Sequence, residues 1–147
     1  MKNIFGFTIL LFSLSSFAGN CPNLAGHWVC KTSDNSVAHN QINQSEIPNG
    51  MHYEITTDDG SMTIEADGKP RTMTDDFSTT TITGLCKKGN ALLMSYHSLS
   101  NDKQFEVTQD LNASLVNANA SHKTGTAKIT TNGKTQKIDI NDSCIRE

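Results

Sequence analysis

Short segments in which apolar and polar side chains alternate recur along most of the chain. Met51–Thr56 alternates strictly between the two classes, and Met62–Glu65 repeats the pattern a few residues later. Alternation with a period of two places every second side chain on one face and is typical of a strand with one buried side. No window has the 3.6-residue apolar period of an amphipathic helix. The pattern therefore predicts an all-β protein.

Turn signals separate these segments at intervals of about 8 to 12 residues. Asp58-Asp59-Gly60 and Asp67-Gly68 interrupt the alternation, and Asn132-Gly133 is the strongest hairpin signal in the chain. This spacing predicts about eight to ten antiparallel strands. A meander of that size leaves exposed edges unless it closes, so an up-and-down barrel is favoured and a two-sheet sandwich is the alternative.

Two segments are harder to interpret from the pattern. Thr32–Asn49 is polar and rich in asparagine, and we expect a long connection there that acts as a lid or flexible loop. Leu111–His122 contains small and polar residues in no clear order, and it is either a strand or a loop.

Residues 1–18 have the layout of a secretory signal peptide. Lys2 supplies a positive n-region, Ile4–Leu14 an apolar segment, and Ser16-Phe17-Ala18 the small residues of a cleavage site. The apolar segment is shorter than the ~20 residues of a membrane-spanning helix. We therefore expect a periplasmic or secreted protein with no membrane association after cleavage, and residues 19–147 as a single β-barrel domain.

All four cysteines follow this leader, at positions 21, 30, 86 and 144. An even number of cysteines behind a leader predicts two disulfides formed in an oxidising compartment. No C-x-x-C pair and no matching histidine pair is present, so neither a metal site nor redox chemistry is expected. Three connectivities are open. Because the first and last strands are neighbours in a closed barrel, we favour Cys21–Cys144 with Cys30–Cys86.

Charge and motif content exclude several classes of function. The chain has 12 basic and 15 acidic residues, a net charge of −3, and no basic cluster that could bind nucleic acid or anionic lipid. The five histidines are scattered without metal-binding spacing, and no G-x-S-x-G nucleophile elbow occurs. We expect a monomer without cofactor, metal or catalytic activity.

The stretch Asn23–Trp28 contains Gly26-His27-Trp28 and resembles the G-x-W signature of the lipocalin and avidin-like (calycin) superfamily. The resemblance implies a barrel in which Trp28 on the first strand closes one end. It also implies that Arg146, near the end of the last strand, packs over the indole, and that Gly26 allows close approach. The T-D-Y motif of lipocalins is absent, because Ser100–Lys103 occupies a similar turn without a tyrosine.

Two functional hypotheses follow from this fold. The first is non-catalytic binding of a small apolar or amphipathic ligand inside the barrel. The candidate ligand-binding residues on the predicted inner face are Met51, Tyr53, Met62, Met94, Tyr96 and Phe105, and the same face is predicted to include Met73, Phe77 and Ile138. The alternative is that loops at one rim bind an extracytoplasmic protein, since the chain also resembles small periplasmic inhibitors of metalloproteases or lysozymes.

Overall fold

The computed structural model describes residues 21–88 and 90–147, so the predicted signal peptide at residues 1–18 lies outside the described residues. Within these described residues, ten antiparallel strands form a single sheet. Their bounds are β1 Gly26–Lys31, β2 Val37–Ile47, β3 Gly50–Thr57, β4 Gly60–Glu65, β5 Asp67–Thr74, β6 Ser78–Lys87, β7 Ala91–Ser100, β8 Phe105–Asn117, β9 Ala120–Thr131 and β10 Lys134–Arg146. The described residues include no helix that is long and apolar enough to cross a membrane.

The sheet curls into a nearly closed antiparallel barrel, which confirms the predicted fold class. Its strands lie in the order β4-β3-β2-β1-β10-β9-β8-β7-β6-β5. Neighbours in the chain are therefore neighbours in the sheet, except at β4 and β5, and the two ends of the chain meet where β1 pairs with β10. Within the described ranges, the break in backbone pairing lies in the middle of the chain instead of between its termini.

Side-chain contacts hold the two edges of this break together. A Cβ on Gly84 of β6 would lie 2.5 Å from Cγ2 of Ile64 in β4, an approach that only glycine allows. Arg71 of β5 donates to the two carboxylate oxygens of Asp67 over 3.0 and 2.9 Å, and also to Glu65 at the end of β4. The hydrogen bonds from Arg71 lower the pKa of the Asp67 carboxyl to about 2.

The meander gives the barrel two different ends. The closed end carries the N-terminal segment 21–25 and the turns that join β2 to β3, β6 to β7 and β8 to β9. The open end carries the remaining hairpin turns, including the β1–β2 turn at residues 32–36 and the β5–β6 turn at residues 75–77.

Trp28 packs at the closed end in the arrangement that the sequence predicts. Its side chain is 2% exposed, and Cζ of Arg146 lies 4.6 Å from the ring centroid. The indole Nε1 donates to the carbonyl of Leu24 over 2.7 Å, and Arg146 donates to the carbonyl of Asn23 over 2.6 Å. Gly26 has φ of +128°, and a Cβ there would lie 3.5 Å from the Arg146 side chain. Indole and guanidinium together therefore hold the N-terminal segment across this end.

Two further polar side chains fasten the N-terminal segment. Oε1 of Gln44 on β2 accepts from the amides of Leu24 and Ala25 over 2.7 and 3.0 Å. The hydroxyl of Tyr53 on β3 donates to the carbonyl of Pro22 over 2.9 Å. Together with the bonds from Trp28 and Arg146, these contacts satisfy five backbone groups of the segment, which lowers the desolvation cost of sealing the barrel.

The disulfides join Cys21 to Cys86 and Cys30 to Cys144, so the favoured connectivity is wrong. Cys30 lies directly opposite Cys144 in the β1–β10 register, with Cα atoms 4.0 Å apart. Cys21 precedes β1 and meets the end of β6 instead, with a Cα separation of 4.9 Å to Cys86. The pairing of first and last strands was predicted correctly, but its register places Cys144 opposite Cys30 instead of near Cys21.

The predicted connection at Thr32–Asn49 is also wrong, because most of it forms β2. Its alternate residues Ala38, Asn40, Ile42 and Gln44 face inward, and two of these four are polar. Gln44 caps the N-terminal segment, and Nδ2 of Asn40 lies 3.3 Å from Sγ of Cys30. The strand looks like a loop in the sequence because its inward polar residues have specific partners in the fold.

The ambiguous segment Leu111–His122 forms the end of β8, a tight turn and the start of β9. The predicted inner-face positions Met73, Phe77 and Ile138 are wrong as core residues, since their exposed fractions are 55%, 82% and 36%. Met73 and Phe77 lie next to and in the β5–β6 turn at the open end, and Ile138 lies in the part of β10 where residues 134–139 are all exposed.

Candidate ligand-binding cavity

A cavity of about 230 Å³ occupies the barrel interior. Its apolar lining consists of Leu24, Trp28, Ile42, Ile55, Met62, Ile64, Leu92, Met94, Leu111 and Ala113, together with the Cys30–Cys144 disulfide. An apolar cavity of ~150 Å³ holds benzene, so this one has room for roughly ten non-hydrogen atoms. The small side chains Ala113 and Ser121 on β8 and β9 leave space that larger residues would fill.

Most of the polar lining of the cavity lies towards the open end, at Asn40, Thr57, Gln109 and Lys123. The fifth polar lining residue, Ser121, lies at the start of β9 near the closed end, opposite Cys144. On β2, which runs away from the open end, Asn40 precedes the apolar lining residue Ile42. On β3, which runs towards the open end, Thr57 follows Ile55. On β8, which runs away from the open end like β2, Gln109 precedes Leu111. The cavity therefore has an apolar floor over Trp28 and a hydrogen-bonding mouth.

An ion pair lies at the mouth. Nζ of Lys123 on β9 is 2.7 Å from Oδ2 of Asp142 on β10, whose side chain is only 5% exposed. Oδ1 of Asp142 accepts from the amide of Ser33, which ties the β1–β2 turn to β10 over 3.3 Å. A buried carboxylate is tolerated when it is paired and hydrogen-bonded in this way. The lysine charge is thus already compensated by the protein.

The β1–β2 turn beside the mouth is ordered by a second aspartate. Oδ1 of Asp34 accepts from the hydroxyl of Thr32 over 2.5 Å and from the amide of Ser36 over 3.0 Å. The hydrogen bond from Thr32, followed by those from Ser36, lowers the pKa of the Asp34 carboxyl to about 2. The turn therefore has a defined conformation at neutral pH.

The candidate residues from the sequence fall in different places. Met62 and Met94 line the cavity. Met51 and Tyr53 are buried towards the closed end outside its lining; Tyr53 is 0% exposed, and burial raises the pKa of its hydroxyl. Tyr96 is half-buried beside the core, and Phe105 at the open end is 45% exposed. The structure brings together two of these six side chains in the cavity wall.

Sequence reasoning missed the polar mouth. Asn40 lies in the segment that was interpreted as a connection, and Lys123 follows the segment that was left open between strand and loop. The period-two rule that places Ile42 inward also places Asn40 inward. Correct assignment of this segment as a strand would therefore have identified both the apolar and the polar lining residue that β2 contributes. Among the described residues, histidine, cysteine and acidic side chains form no group that could hold a metal ion.

The β5–β6 turn presents an aromatic side chain at the open end. Phe77 is 82% exposed, yet its backbone is held on both sides. Its amide and that of Ser78 each donate to Oδ1 of Asp75 over 2.8 Å, and its carbonyl accepts from Asn101 on the neighbouring turn over 2.9 Å. The backbone hydrogen bonds from Phe77 and Ser78 lower the pKa of the Asp75 carboxyl. An exposed phenyl ring is thus carried on an ordered turn.

Comparison with known proteins finds no counterpart for this arrangement. No family model, no curated protein and no solved structure matches the chain. The similarity of Gly26-His27-Trp28 to the calycin signature stays a prediction.

Proposed function

We propose that this protein binds a small, uncharged amphipathic molecule inside the barrel and does so without catalysing a reaction on it. The observation that carries the proposal is the cavity of about 230 Å³ with an apolar floor at Trp28 and a polar mouth at Asn40, Thr57 and Gln109. Ligand sites of this kind combine a mostly apolar wall with a few placed polar groups. The apolar part of the ligand would lie over Trp28, and its polar group would face the mouth.

The ion pair at the mouth favours an uncharged ligand. Asp142 lies 2.7 Å from Lys123, so a ligand carboxylate would compete with a protein carboxylate that is already in place. A ligand ammonium would meet the positive Lys123. A hydroxyl or amide group avoids both costs, because it can exchange hydrogen bonds with neutral side chains.

Export to the periplasm or the extracellular space is part of the same proposal. The leader-like residues 1–18 and the two disulfides support it, because disulfides persist in oxidising compartments. We further propose that the barrel is of the lipocalin-like kind, on the strength of Gly26-His27-Trp28 and the packing of Arg146.

Trp28 is the only tryptophan in the chain and lines the cavity, so its fluorescence reports binding. Titration with 1-nonanol and with octanoate compares two probes of similar size that differ in charge. We expect nonanol to change the Trp28 emission at lower concentration than octanoate does. Ala113→Leu, which fills the cavity, should weaken nonanol binding, whereas Ala118→Leu on an exposed turn should not. No response to either probe, or equal responses in both variants, would refute cavity binding.

A second candidate function is protein binding at the open rim, for which the ordered and exposed Phe77 is the specific observation. Aromatic side chains held without much conformational freedom are frequent anchors in interfaces. The variant Phe77→Ser tests this function against Val116→Ser, which removes a 68%-exposed apolar side chain at the opposite end. An extracytoplasmic protein that is retained by the wild type and the Val116 variant but lost with Phe77→Ser would support it. Retention that is unchanged by Phe77→Ser would rule out this anchor.

A further inference from the structure

One edge of β10 is open over much of its length. The strand pairs with β9 from Lys134 to Ile145, but with β1 only from Ser143 to Arg146. In the part of the chain that the structure describes, no strand pairs with the other edge of residues 134–142. Side chains 134–139 are all exposed. An open edge of this kind is a template for another strand.

The hydrogen bonds at the end of β10 show which backbone groups face this edge. The Glu147 amide donates to His27 of β1, whereas the Arg146 amide donates to Asn119 on the β9 side. Successive residues in a strand direct their backbone groups to opposite sides, so odd-numbered residues face the β1 side. The open edge therefore presents the N–H and C=O groups of Thr135, Lys137, Asp139 and Asn141.

We propose that this edge pairs with β10 of a second copy of the chain, antiparallel and about a two-fold axis through Ile138. In this register Lys137 of each copy lies opposite Asp139 of the other, and Thr135 lies opposite Asn141. Both are hydrogen-bonded pairs, since all four residues direct their backbone groups outward. The free backbone groups of Lys137 and Asp139 on both copies then have partners, and the interface is the same surface on both copies. The pairing is centred on these two residues, because the β1–β2 turn already lies beside Asp142 through the amide of Ser33.

The charges along the strand select this register. Opposite charges that face each other across antiparallel strands stabilise pairing, and like charges destabilise it. Centring the pair one residue earlier would place Lys137 opposite itself, and centring it one residue later would place Asp139 opposite itself. At the ends Lys134 falls opposite Asp142, which is already paired with Lys123 and contributes little.

The alternation of Lys137 and Asp139 distinguishes the open edge of β10 from edges whose charges prevent association. Edge lysines usually prevent strand addition because they repel a second copy of themselves. Here each Lys137 already has its Nζ 3.0 Å from Oδ1 of Asp139 in its own strand, and the two-fold arrangement adds Asp139 of the other copy on the facing strand. An interface built on one strand from each copy lies at the small end of the range, so the dimer should form at high concentration and dissociate on dilution. The monomer expected from the sequence is then the dilute form.

Sedimentation velocity over a range of concentrations tests the proposal on protein expressed from the full coding sequence. The wild type should shift from monomer to dimer as its concentration rises. Lys137→Asp should raise the dissociation constant roughly ten- to thirty-fold, because each dimer contains the altered pair twice. The double variant Lys137→Asp/Asp139→Lys should restore dimerisation. Lys87→Asp makes the same change in net charge on an exposed residue of β6 and should have no effect.

A second variant tests the backbone pairing directly. Thr135→Pro removes an N–H group that faces the open edge but none that bonds to β9, and proline is tolerated at strand edges. It should abolish the dimer while circular dichroism shows a folded barrel. A wild type that stays monomeric at every concentration would overturn the proposal. So would a dimer that is insensitive to both Lys137→Asp and Thr135→Pro, since it would use another surface.

Discussion

The guanidinium of Arg146 lies 4.6 Å from the ring centroid of Trp28, and this contact joins the last strand to the first at the closed end of the barrel. Both side chains also bind the N-terminal segment, through the carbonyls of Leu24 and Asn23. One cluster thus links the N-terminal segment and the adjoining first strand to the last strand, 123 residues away from Asn23 at Arg146. Trp28 and Leu24 of this cluster also line the cavity, so the stability of the cluster and the proposed ligand binding should be coupled.

Replacing Trp28 by alanine should lower the free energy of unfolding more than replacing Arg146 does. Trp28→Ala should lower the free energy of unfolding by about 3–5 kcal/mol, because it opens a cavity in a closed core. Arg146→Ala should cost about 1–3 kcal/mol, from the lost stacking and the lost charged hydrogen bond to Asn23. Urea unfolding measures both changes. An Arg146→Ala cost as large as that of Trp28→Ala would contradict the central role of the indole.

Gly84→Ala should loosen the packing of β4 on β6. The new methyl group would approach Cγ2 of Ile64, and overpacking of this kind costs about 1–3 kcal/mol. Combining it with Ile64→Ala removes the obstructing methyl group, so the double variant should be more stable than the sum of the two single effects predicts. Strict additivity in urea unfolding would show that the two residues do not meet.

Each disulfide closes a long segment of chain, with sequence separations of 65 and 114 residues. Replacing either pair by serine should cost about 4–5 kcal/mol in the chain-entropy model. The connectivity itself is checked by proteolytic mapping without reduction. Peptides that carry Cys21 should be linked to those that carry Cys86, and a Cys21–Cys144 peptide would contradict the pairing described above.

Acid should weaken the contacts at the break between β4 and β5. The pKa of Asp67 falls from 3.8 to about 2 on folding, because the hydrogen bonds from Arg71 favour the ionised form. Because the pKa is lower in the folded protein, the ionised Asp67 contributes its full stabilisation above pH 3.8. This contribution is lost as the pH falls from 3.8 to about 2. Asp67→Asn should therefore reduce the urea midpoint at neutral pH and flatten its decline between about pH 4 and pH 2.

The control for this prediction is Asp59→Asn, which removes one carboxylate from an exposed turn. Asp59→Asn should leave the difference between the urea midpoints at neutral and acid pH close to the difference measured for the wild type. An unchanged acid profile in Asp67→Asn would show that the Arg71 pair does not stabilise the fold.

Asp142→Asn should reverse the charge preference of the cavity. The amide retains an oxygen for the Ser33 amide but no longer neutralises Lys123. The free ammonium should then attract a carboxylate, so octanoate should bind more tightly than it does to the wild type and approach or exceed nonanol. Asp110→Asn, at an exposed site outside the cavity, should not change the order of the two probes. A preference that stays the same in Asp142→Asn would exclude the ion pair as its cause.

Local signals in the sequence determined the strands and their turns. Alternation at Met51–Thr56 and the Asn132-Gly133 hairpin depend on neighbouring residues alone, and both are found in β3 and between β9 and β10. These features could be predicted because period-two burial and turn geometry are properties of a few consecutive residues.

Only the tertiary structure decided the register of β1 on β10, the strand identity of Thr32–Asn49 and the composition of the mouth. Cys30 meets Cys144 because β1 and β10, which are separated by most of the chain, are brought into one alignment. Lys123 meets Asp142 within the β9–β10 hairpin, but only the fold places this pair beside the β1–β2 turn. Asn40 and Gln44 look like loop residues until their partners on β1 and in the N-terminal segment are known. Such pairings are set by packing between distant segments, and no local pattern encodes them.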